Sequence, residues 1–168
     1  MNCDRWQAET VAEVVIRPFR EGEAYAVASW AYEPPYDWYD GDPTHFEDYL
    51  AVDDNGYGYY AIVAGEQDEV IGFCCFGPEA RVAGQEAVDG VLDIGGGVRP
   101  DRLSVGIATG LFPDIINFAR ATFSPTHFRT AIASFNERST RLCLSAGFTV
   151  VRRFDGPGKD FYELLLPM

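Results

Sequence analysis

The sequence predicts an α/β (α+β) fold with a single mixed, mostly antiparallel central sheet of about six to seven strands, flanked by about four helices. Between residues 57 and 98, three apolar runs are separated by polar loops, which is typical of an antiparallel meander. Three glycines and a proline then separate the third run from a long helical pattern. Because 168 residues suffice for one core and no linker is evident, we expect one domain over residues 13–168 after an N-terminal tail, residues 1–12.

The elements of the first half follow from periodicity and turn chemistry. Alternation predicts a strand over Glu13–Phe19, and an acidic first turn predicts a helix over Glu21–Ala31. Thr44, with a glutamate three residues later, is expected to cap a short helix through Ala51. The meander strands are predicted at Tyr57–Ala64, Glu69–Phe76 and Ala87–Val98.

The second half begins with a predicted helix over Ser104–Phe123, whose buried face would carry Ile107, Leu111, Ile115 and Phe118. Pro113 lies inside this helix and is expected to kink it. Three later strands are predicted at Phe128–Phe135, Val150–Phe154 and Phe161–Leu166. A short helix lies between the first two of them, with Asn136 and Gly147 as its caps.

Composition excludes several classes of function. The formal net charge is −13, and Lys159 is the only lysine, so we expect no nucleic-acid partner and no membrane partner. The surface would attract a cationic substrate, although a merely solvated acidic face is the preferred explanation of the charge. No apolar run is long enough to span a bilayer and no signal-peptide pattern is present, which predicts a cytoplasmic location.

The cysteines and histidines do not indicate a metal site. The four cysteines lack a C-x-x-C pair, and neighbouring Cys74 and Cys75 would point to opposite faces of a strand. The two histidines, His45 and His127, have no metal-ligand spacing. We therefore expect free thiols and no metal.

The segment from Val98 to Ala108 has the composition of an anion-binding turn. A strand ends in Gly95–Gly97 and Val98, a Pro100 turn follows, and a small Gly-containing run opens the long helix. A strand, a tight turn and a helix N-terminus place several unpaired backbone N–H groups together, and the helix dipole adds partial positive charge. Such a cradle suits phosphates, although an ordinary strand-to-helix turn has the same composition.

This segment resembles the phosphate-binding motif of the GCN5-related N-acetyltransferases, the GNAT family. Val98 and Pro100 match the V-x-P start, and Gly106 and Ala108 match its end. Leu103 stands where Arg or Gln is usual, and Ser104 stands where Gly is frequent. Arg99-Pro100-Asp101 is most similar to the subgroup whose acetyl-CoA motif reads R-P-D-x-x-G-x-G.

A second segment, Asn136–Phe148, resembles the family's N-x-x-A-x-x-L-Y-x-x-x-G-F motif. Asn136, Leu142, Gly147 and Phe148 match in register, whereas Arg141 and Cys143 depart. The predicted order β-α-α-β-β-β-α-β-α-β-β is also that of the GNAT fold. Together these features imply an acetyl-CoA-dependent N-acetyltransferase, an acyltransferase that moves an acetyl group to a primary amine by direct attack. The resemblance calls for no metal.

The resemblance also implies which residues hold the coenzyme. Pantetheine would pair with the exposed edge of the strand that ends in Gly96, Gly97 and Val98, unless these glycines form a β-bulge without a ligand. The pyrophosphate would lie against the backbone from Ser104 to Ala108, with Asn136 beside the pantetheine. The full set of predicted coenzyme-binding residues is Gly96, Gly97, Val98, Arg102, Leu103, Ser104, Val105, Gly106, Ile107, Ala108 and Asn136.

Two residues are candidates for acid–base catalysis. Asp93 stands where some family members carry an acidic base, although a plain strand carboxylate is an equal alternative. Cys143 replaces the tyrosine that is the usual general acid, and it would either protonate the leaving thiolate or pack as a small buried hydrophobe. In the second case solvent or another tyrosine must supply the proton.

The aromatic stretch Tyr32–Asp40 is the candidate acceptor site. It follows the first predicted helix, a region that shapes the acceptor site in the family, and Glu33, Tyr36 and Tyr39 are its predicted substrate-binding residues. The alternative is an aromatic plug over the core. The acceptor would be a small-molecule amine or a protein N-terminus, and a homodimer is possible. The competing function is a non-catalytic acyl-CoA-binding module with a degenerate active site.

Overall fold

The computed structural model describes residues 13–168, which form one seven-stranded sheet in the order β1-β2-β3-β4-β5-β7-β6. All neighbouring strands are antiparallel except β4 and β5, so the predicted mixed, mostly antiparallel sheet is confirmed. The predicted tail, residues 1–12, lies outside the described residues. The strands are β1 Val14–Arg17, β2 Gly58–Ala64, β3 Glu69–Phe76, β4 Val91–Val98, β5 His127–Ala133, β6 Thr149–Asp155 and β7 Asp160–Pro167.

Three α-helices lie within the described part of the chain, together with four 3₁₀ segments. The α-helices are α1 Glu21–Ala28, α2 Ile107–Phe123 and α3 Glu137–Ser145. The 3₁₀ segments are Tyr36–Tyr39, Pro43–Leu50, Gly77–Ala80 and Pro100–Val105. The predicted start of the long helix at Ser104 is therefore wrong by three residues, because the chain first forms a 3₁₀ turn and a left-handed glycine.

The short helix before β2 differs from its prediction in type and in cap. It is a 3₁₀ helix with Pro43 in its first turn. Asp42, not Thr44, is its N-cap, and the Asp42 carboxylate accepts hydrogen bonds from the Thr44 N–H at 2.9 Å and from the Thr44 hydroxyl at 2.6 Å. An aspartate before a proline satisfies the cap requirement two residues earlier than the expected threonine.

The sheet is packed on both faces. Along β2, Ile62 belongs to the larger core with α2 and α3, whereas its neighbours Ala61 and Val63 belong to a second core with α1. This division follows from the alternation of side chains along a strand. Helix α2 stays one continuous helix through Pro113. Its buried residues are Ile107, Leu111, Ile116 and Ala119, while Ile115 and Phe118 are partly buried against the same core.

The caps of α3 are as predicted. The Asn136 side chain accepts a hydrogen bond from the Ser139 N–H at 3.1 Å. At the other end Gly147 adopts a φ of 100°, its N–H bonds the Leu144 carbonyl, and the Phe148 N–H bonds the Cys143 carbonyl at 3.0 Å. These two bonds form a Schellman motif, which needs a left-handed residue at this position. Across residues 13–168, none of the helices combines the length and apolar character needed to cross a bilayer.

Candidate functional site

The sheet opens between β4 and β5. These parallel strands pair only over three residues, Val91–Asp93 with His127–Arg129. Beyond this point β4 continues along β3, while β5 continues along β7. We call the gap between Ile94–Val98 and residues 130–133 the strand opening. Strands that separate in mid-sheet leave backbone groups without strand partners, and such groups need another partner.

The backbone of β4 presents alternate amides to this opening. The Arg99 N–H bonds the Ile71 carbonyl at 3.0 Å, which directs residue 99 toward β3. Because alternate residues of an antiparallel strand face the same neighbour, Gly97 and Gly95 also face β3, and Val98, Gly96 and Ile94 face the opening. The Val98 carbonyl agrees with this assignment, since it accepts a hydrogen bond from the Tyr32 hydroxyl at 3.0 Å.

The glycines of β4 are explained by the close approach of β3. A Cβ at Gly96 would lie 2.6 Å from the Phe73 carbonyl oxygen, and one at Gly97 would lie 2.7 Å from the Phe73 ring. A Cβ at Gly95 would lie 3.1 Å from the Cys75 sulfur. The register of β3 with β4 is continuous from Gly72↔Val98 to Phe76↔Ile94, without the bulge that was the alternative interpretation.

The turn after β4 exposes the start of α2. After the 3₁₀ segment Pro100–Val105, Gly106 adopts a φ of 73° and forms the N-cap of α2. A Cβ at Gly106 would meet nothing within 4 Å, so the space beside it is open. The first turn of α2 carries no acidic side chain and no side-chain cap. The N–H groups of Ile107 and Ala108 therefore start a helix whose positive dipole end faces open space.

Two arginines beside this turn already hold carboxylate partners. Arg99 forms a close ion pair with Glu69 and contacts Asp101 at 3.0 Å. The Arg102 guanidinium lies 3.6 Å from Glu69 and 3.8 Å from Asp101, and its side chain is largely buried. Local sequence patterns do not point to Glu69, which lies at the start of β3. Leu103 is half-buried in the same turn.

Asp93 lies at the point where the strands separate and is almost fully buried. Arg129, its register partner on β5, donates from Nε to Asp93 Oδ1 at 2.6 Å and from Nη2 to Oδ2 at 3.0 Å. Arg81 Nε lies 3.3 Å from Oδ2. Both carboxylate oxygens are thus engaged by guanidinium groups, and the bond to Asp93 raises the pKa of Arg129. This geometry favours a buried ion pair over a free proton acceptor.

The ion pair continues into a polar network on β7. Glu163 Oε2 accepts hydrogen bonds from Gln85 at 2.8 Å and from Arg152 at 3.1 Å, and lies 4.0 Å from Arg129. Burial alone would raise the pKa of Glu163, but these hydrogen bonds outweigh it and leave the pKa below its usual value. Arg129 also bonds the Glu86 carbonyl at 2.7 Å. The network therefore ties the loop before β4 to the sheet.

The aromatic stretch Tyr32–Asp40 spans the strand opening. At one end Tyr32 bonds Val98 of β4, and burial raises the pKa of its hydroxyl. At the other end the Tyr39 hydroxyl accepts a hydrogen bond from Asn136 at 3.2 Å, just beyond β5. The Tyr39 ring also packs on Phe135 at a centroid distance of 5.8 Å. The sequence did not single out Tyr32 or Phe135.

The other predicted acceptor residues lie on this stretch with different surroundings. The Tyr36 ring contacts Phe135 at 6.1 Å and carries the Arg138 guanidinium 4.7 Å above its centroid. Glu33 is exposed, and its carbonyl accepts the Tyr36 N–H at 2.9 Å. Lys159 lies 5.0 Å from the Phe135 centroid. The stretch is thus an aromatic surface edged by cations.

Cys143 is packed inside the larger core and is 5% exposed. Burial raises the pKa of its thiol to about 12. A thiol in this state is a weaker acid than an ordinary cysteine, so the burial favours packing over proton donation. In residues 13–168, no group of three or more His, Cys, Asp or Glu side chains could hold a metal ion.

The structure thus gathers most of the predicted residues at one place. The strand opening is bordered by Gly96, Val98, the start of α2, Asn136 and Tyr39. Cys143 instead lies in the core, and Asp93 lies at the closed end of the strand opening. Arg129 was missed because its role depends on register with β4. Its only signal in the sequence is a charged residue in a strand that is otherwise mainly apolar.

Comparison with known proteins agrees with this architecture. A family model described as an acetyltransferase (GNAT) domain matches residues 13–149. No curated protein sequence matches the chain. Among solved structures, a GNAT-family acetyltransferase from Bacillus anthracis is 14% identical, with a TM-score of 0.71, and the match covers 93% of this chain and 96% of that one.

Two further solved structures have names that mention different molecules. AAC(6')-Ib in complex with paromomycin and acetyl-CoA is 17% identical, with a TM-score of 0.70 and coverage of 92% of this chain and 93% of that one. Ribosomal-protein-S5-alanine acetyltransferase from Vibrio fischeri is 13% identical, with a TM-score of 0.65 and coverage of 92% of each chain. At such identities these structures show the fold, which is that of GNAT proteins. The family model spans most of the sequence, and the chain belongs to the GNAT acetyltransferase family.

Proposed function

We propose that this protein is an N-acetyltransferase that takes its acetyl group from acetyl-CoA and passes it to a primary amine. The observation that carries the proposal is the strand opening, where β4 leaves the amides of Gly96 and Val98 without a partner strand. Pantetheine contains two amides, so it can pair with such an edge as another strand would. Gly96 is exposed, which leaves its backbone accessible.

The start of α2 supports the same proposal. Eight residues after Val98, Gly106 turns the chain so that the amides of Ile107 and Ala108 begin the helix. Backbone N–H groups at a helix start bind phosphate without a charged side chain. The backbone from Ser104 to Gly106 completes the proposed pyrophosphate site. Arg99 and Arg102 lie beside it, and their partners Glu69 and Asp101 hold them in place.

Asn136 and the aromatic stretch complete the proposed site. Asn136 lies at the end of the opening, where it would contact pantetheine, and Tyr36 and Tyr39 would form one wall for the acceptor amine, with Glu33 at its rim. The acceptor is a small-molecule amine or a protein N-terminus. The R-P-D form of the acetyl-CoA motif, Arg99-Pro100-Asp101, is part of this proposal.

The test is a pair of measurements on the wild-type protein. Titration calorimetry should detect binding of acetyl-CoA, and no binding of the truncated thioester acetyl-N-acetylcysteamine, which lacks the pyrophosphate. Thiol release should then be measured with acetyl-CoA and a panel of spermidine, paromomycin, free amino acids and a peptide with an N-terminal alanine. Release above the rate without amine supports the proposal. Binding without release would favour the non-catalytic acyl-CoA-binding module, and absence of binding would overturn both.

A further inference from the structure

The acid that completes the reaction has no obvious source among the expected residues. Cys143, at the family's tyrosine position, is buried in the core. Asp93 is held between two guanidinium groups. We propose that the phenol of Tyr39 donates the proton that the coenzyme A thiolate takes up when the acetyl group leaves. This inference rests on the proposed N-acetyltransferase function and assigns a further catalytic residue within the same site.

The position of Tyr39 supports this role. Tyr39 ends the 3₁₀ segment Tyr36–Tyr39, and its ring is held against Phe135 and Trp38 at centroid distances of 5.8 and 4.9 Å. Its hydroxyl lies 3.2 Å from Asn136 Nδ2. Asn136 follows β5, and the Ala133 backbone at the end of β5 also hydrogen-bonds the phenol, so the phenol lies at the end of the strand opening although Tyr39 and Asn136 are 97 residues apart in sequence.

The hydrogen-bond directions leave the phenolic proton available. Asn136 Oδ1 accepts the Ser139 N–H at 3.1 Å, and this contact identifies which end of the amide is oxygen. The other end is therefore an NH₂ group, and it must donate to the Tyr39 oxygen. Among the described residues, no acceptor is found for the Tyr39 hydrogen. A phenol whose oxygen accepts bonds from the Asn136 side chain and the Ala133 backbone and that keeps its own hydrogen can donate to a substrate atom.

Hydrogen-bond donors at the phenol oxygen ease its ionisation. Burial raises the pKa of Tyr39, and hydrogen bonds from the Asn136 side chain and the Ala133 backbone offset part of that rise because they stabilise the phenolate. Tyr32, the other tyrosine at the strand opening, differs in the availability of its phenolic hydrogen. It donates its hydrogen to the Val98 carbonyl, so its proton is already engaged. Tyr39 is therefore the better placed of the two.

The amine nitrogen attacks the thioester carbon, the C–N bond forms, and the carbonyl becomes an oxyanion. When the oxyanion collapses, the C–S bond breaks and the sulfur takes the proton from Tyr39. The nitrogen loses a proton to water, and the Tyr39 phenolate takes one back from solvent. The products are the N-acetylated amine and coenzyme A as its thiol.

The experiment compares Tyr39→Phe with Tyr49→Phe, using acetyl-CoA and whichever amine of the panel gives the fastest release. Tyr49 is the control because it is also a tyrosine in an aromatic cluster, next to Tyr59, but it packs against the second core. General acid catalysis contributes roughly 10²–10⁴-fold. Tyr39→Phe should therefore lower kcat about 100-fold or more, with the Kd for acetyl-CoA within twofold of wild type, while Tyr49→Phe keeps wild-type kcat.

A pH profile separates acid catalysis from a packing role. The acid must be protonated, so the wild-type rate should fall as pH rises through the Tyr39 pKa. Replacement of Tyr39 by a fluorinated tyrosine of lower phenol pKa should move this fall to lower pH. An unmoved profile, or a Tyr39→Phe variant as active as Tyr49→Phe, overturns the inference while the proposed function stands. A wild-type protein that releases no thiol with any amine overturns the proposed function itself.

Discussion

Removal of Arg129 should destabilise the protein more than almost any other single change outside the apolar core. Asp93 and Arg129 are 4% and 5% exposed, and two hydrogen bonds of 2.6 and 3.0 Å join them. Breaking a buried pair from one side leaves the other charge uncompensated and costs about 3–5 kcal/mol. The Arg129→Met variant keeps the volume but leaves Asp93 with Arg81 alone. For a chain of this size, about 3 kcal/mol lowers Tm by about 6–12 °C.

The assay is urea denaturation followed by circular dichroism, applied as a double-mutant cycle. Asp93→Asn and Arg129→Met should each lose about 3–5 kcal/mol, whereas Asp93→Asn combined with Arg129→Met should lose much less than the sum of the two, because it removes both charges of this pair. Single losses below about 1 kcal/mol, or simple additivity, would refute the ion-pair interpretation.

The same variants decide between the two roles considered for Asp93. If Asp93 is the general base, Asp93→Asn removes the rise of rate with pH, and Arg129→Met does not. If Asp93 serves the ion pair, both variants lose stability and activity together and keep the shape of the wild-type pH profile. A stable Asp93→Asn protein with a flat profile would restore the base role.

Three further predictions concern the glycines and the buried thiol. Gly96→Ala should cost about 1–3 kcal/mol of stability in thermal denaturation, because the added Cβ would overlap a β3 carbonyl. Gly22→Ala in α1 should be stabilising, because a Cβ there meets nothing within 4 Å. Equal effects of the two substitutions would contradict the packing argument. Gly106→Ala should cost about 1 kcal/mol and weaken acetyl-CoA binding, because Gly106, unlike Gly110, has a positive φ. Gly110→Ala in α2 should leave binding unchanged in calorimetry. In a variant with Cys3 replaced, iodoacetamide should not label Cys143 of the folded protein within hours between pH 7 and 9. Burial raises the pKa of the Cys143 thiol to about 12, so the thiol stays neutral and unreactive in this range. Rapid labelling would contradict this burial.

Local patterns predicted the order of elements well, and the fold followed from it. The alternation in β2, the Gly147 cap and the Asn136 cap each depend on residues within a few positions, so they are visible in the sequence. The same reasoning placed the start of α2 three residues early. The left-handed turn at Gly106 is a backbone property that an apolar, helix-like run conceals.

The parts of the site that were missed depend on distant pairs. Arg129 meets Asp93 because β5 lies beside β4 in a particular register, and a one-residue shift would turn it away. Tyr32 reaches Val98 across 66 positions of sequence. The glycines before Val98 were interpreted through a possible ligand, but the clash that requires glycine is with Phe73 on β3. Periodicity contains no information about which strands become neighbours.

The acidity of the chain and the proposed anionic substrate are compatible because the relevant field is local. Charges separated by more than about 8–10 Å through water are largely screened at physiological salt. Near the turn after β4, Arg99 and Arg102 balance Glu69 and Asp101, and the first turn of α2 adds no acid. The phosphates would then meet backbone N–H groups rather than the average surface. A site whose side-chain charges balance and whose centre consists of backbone N–H groups favours an anion, although the whole protein carries a formal net charge of −13.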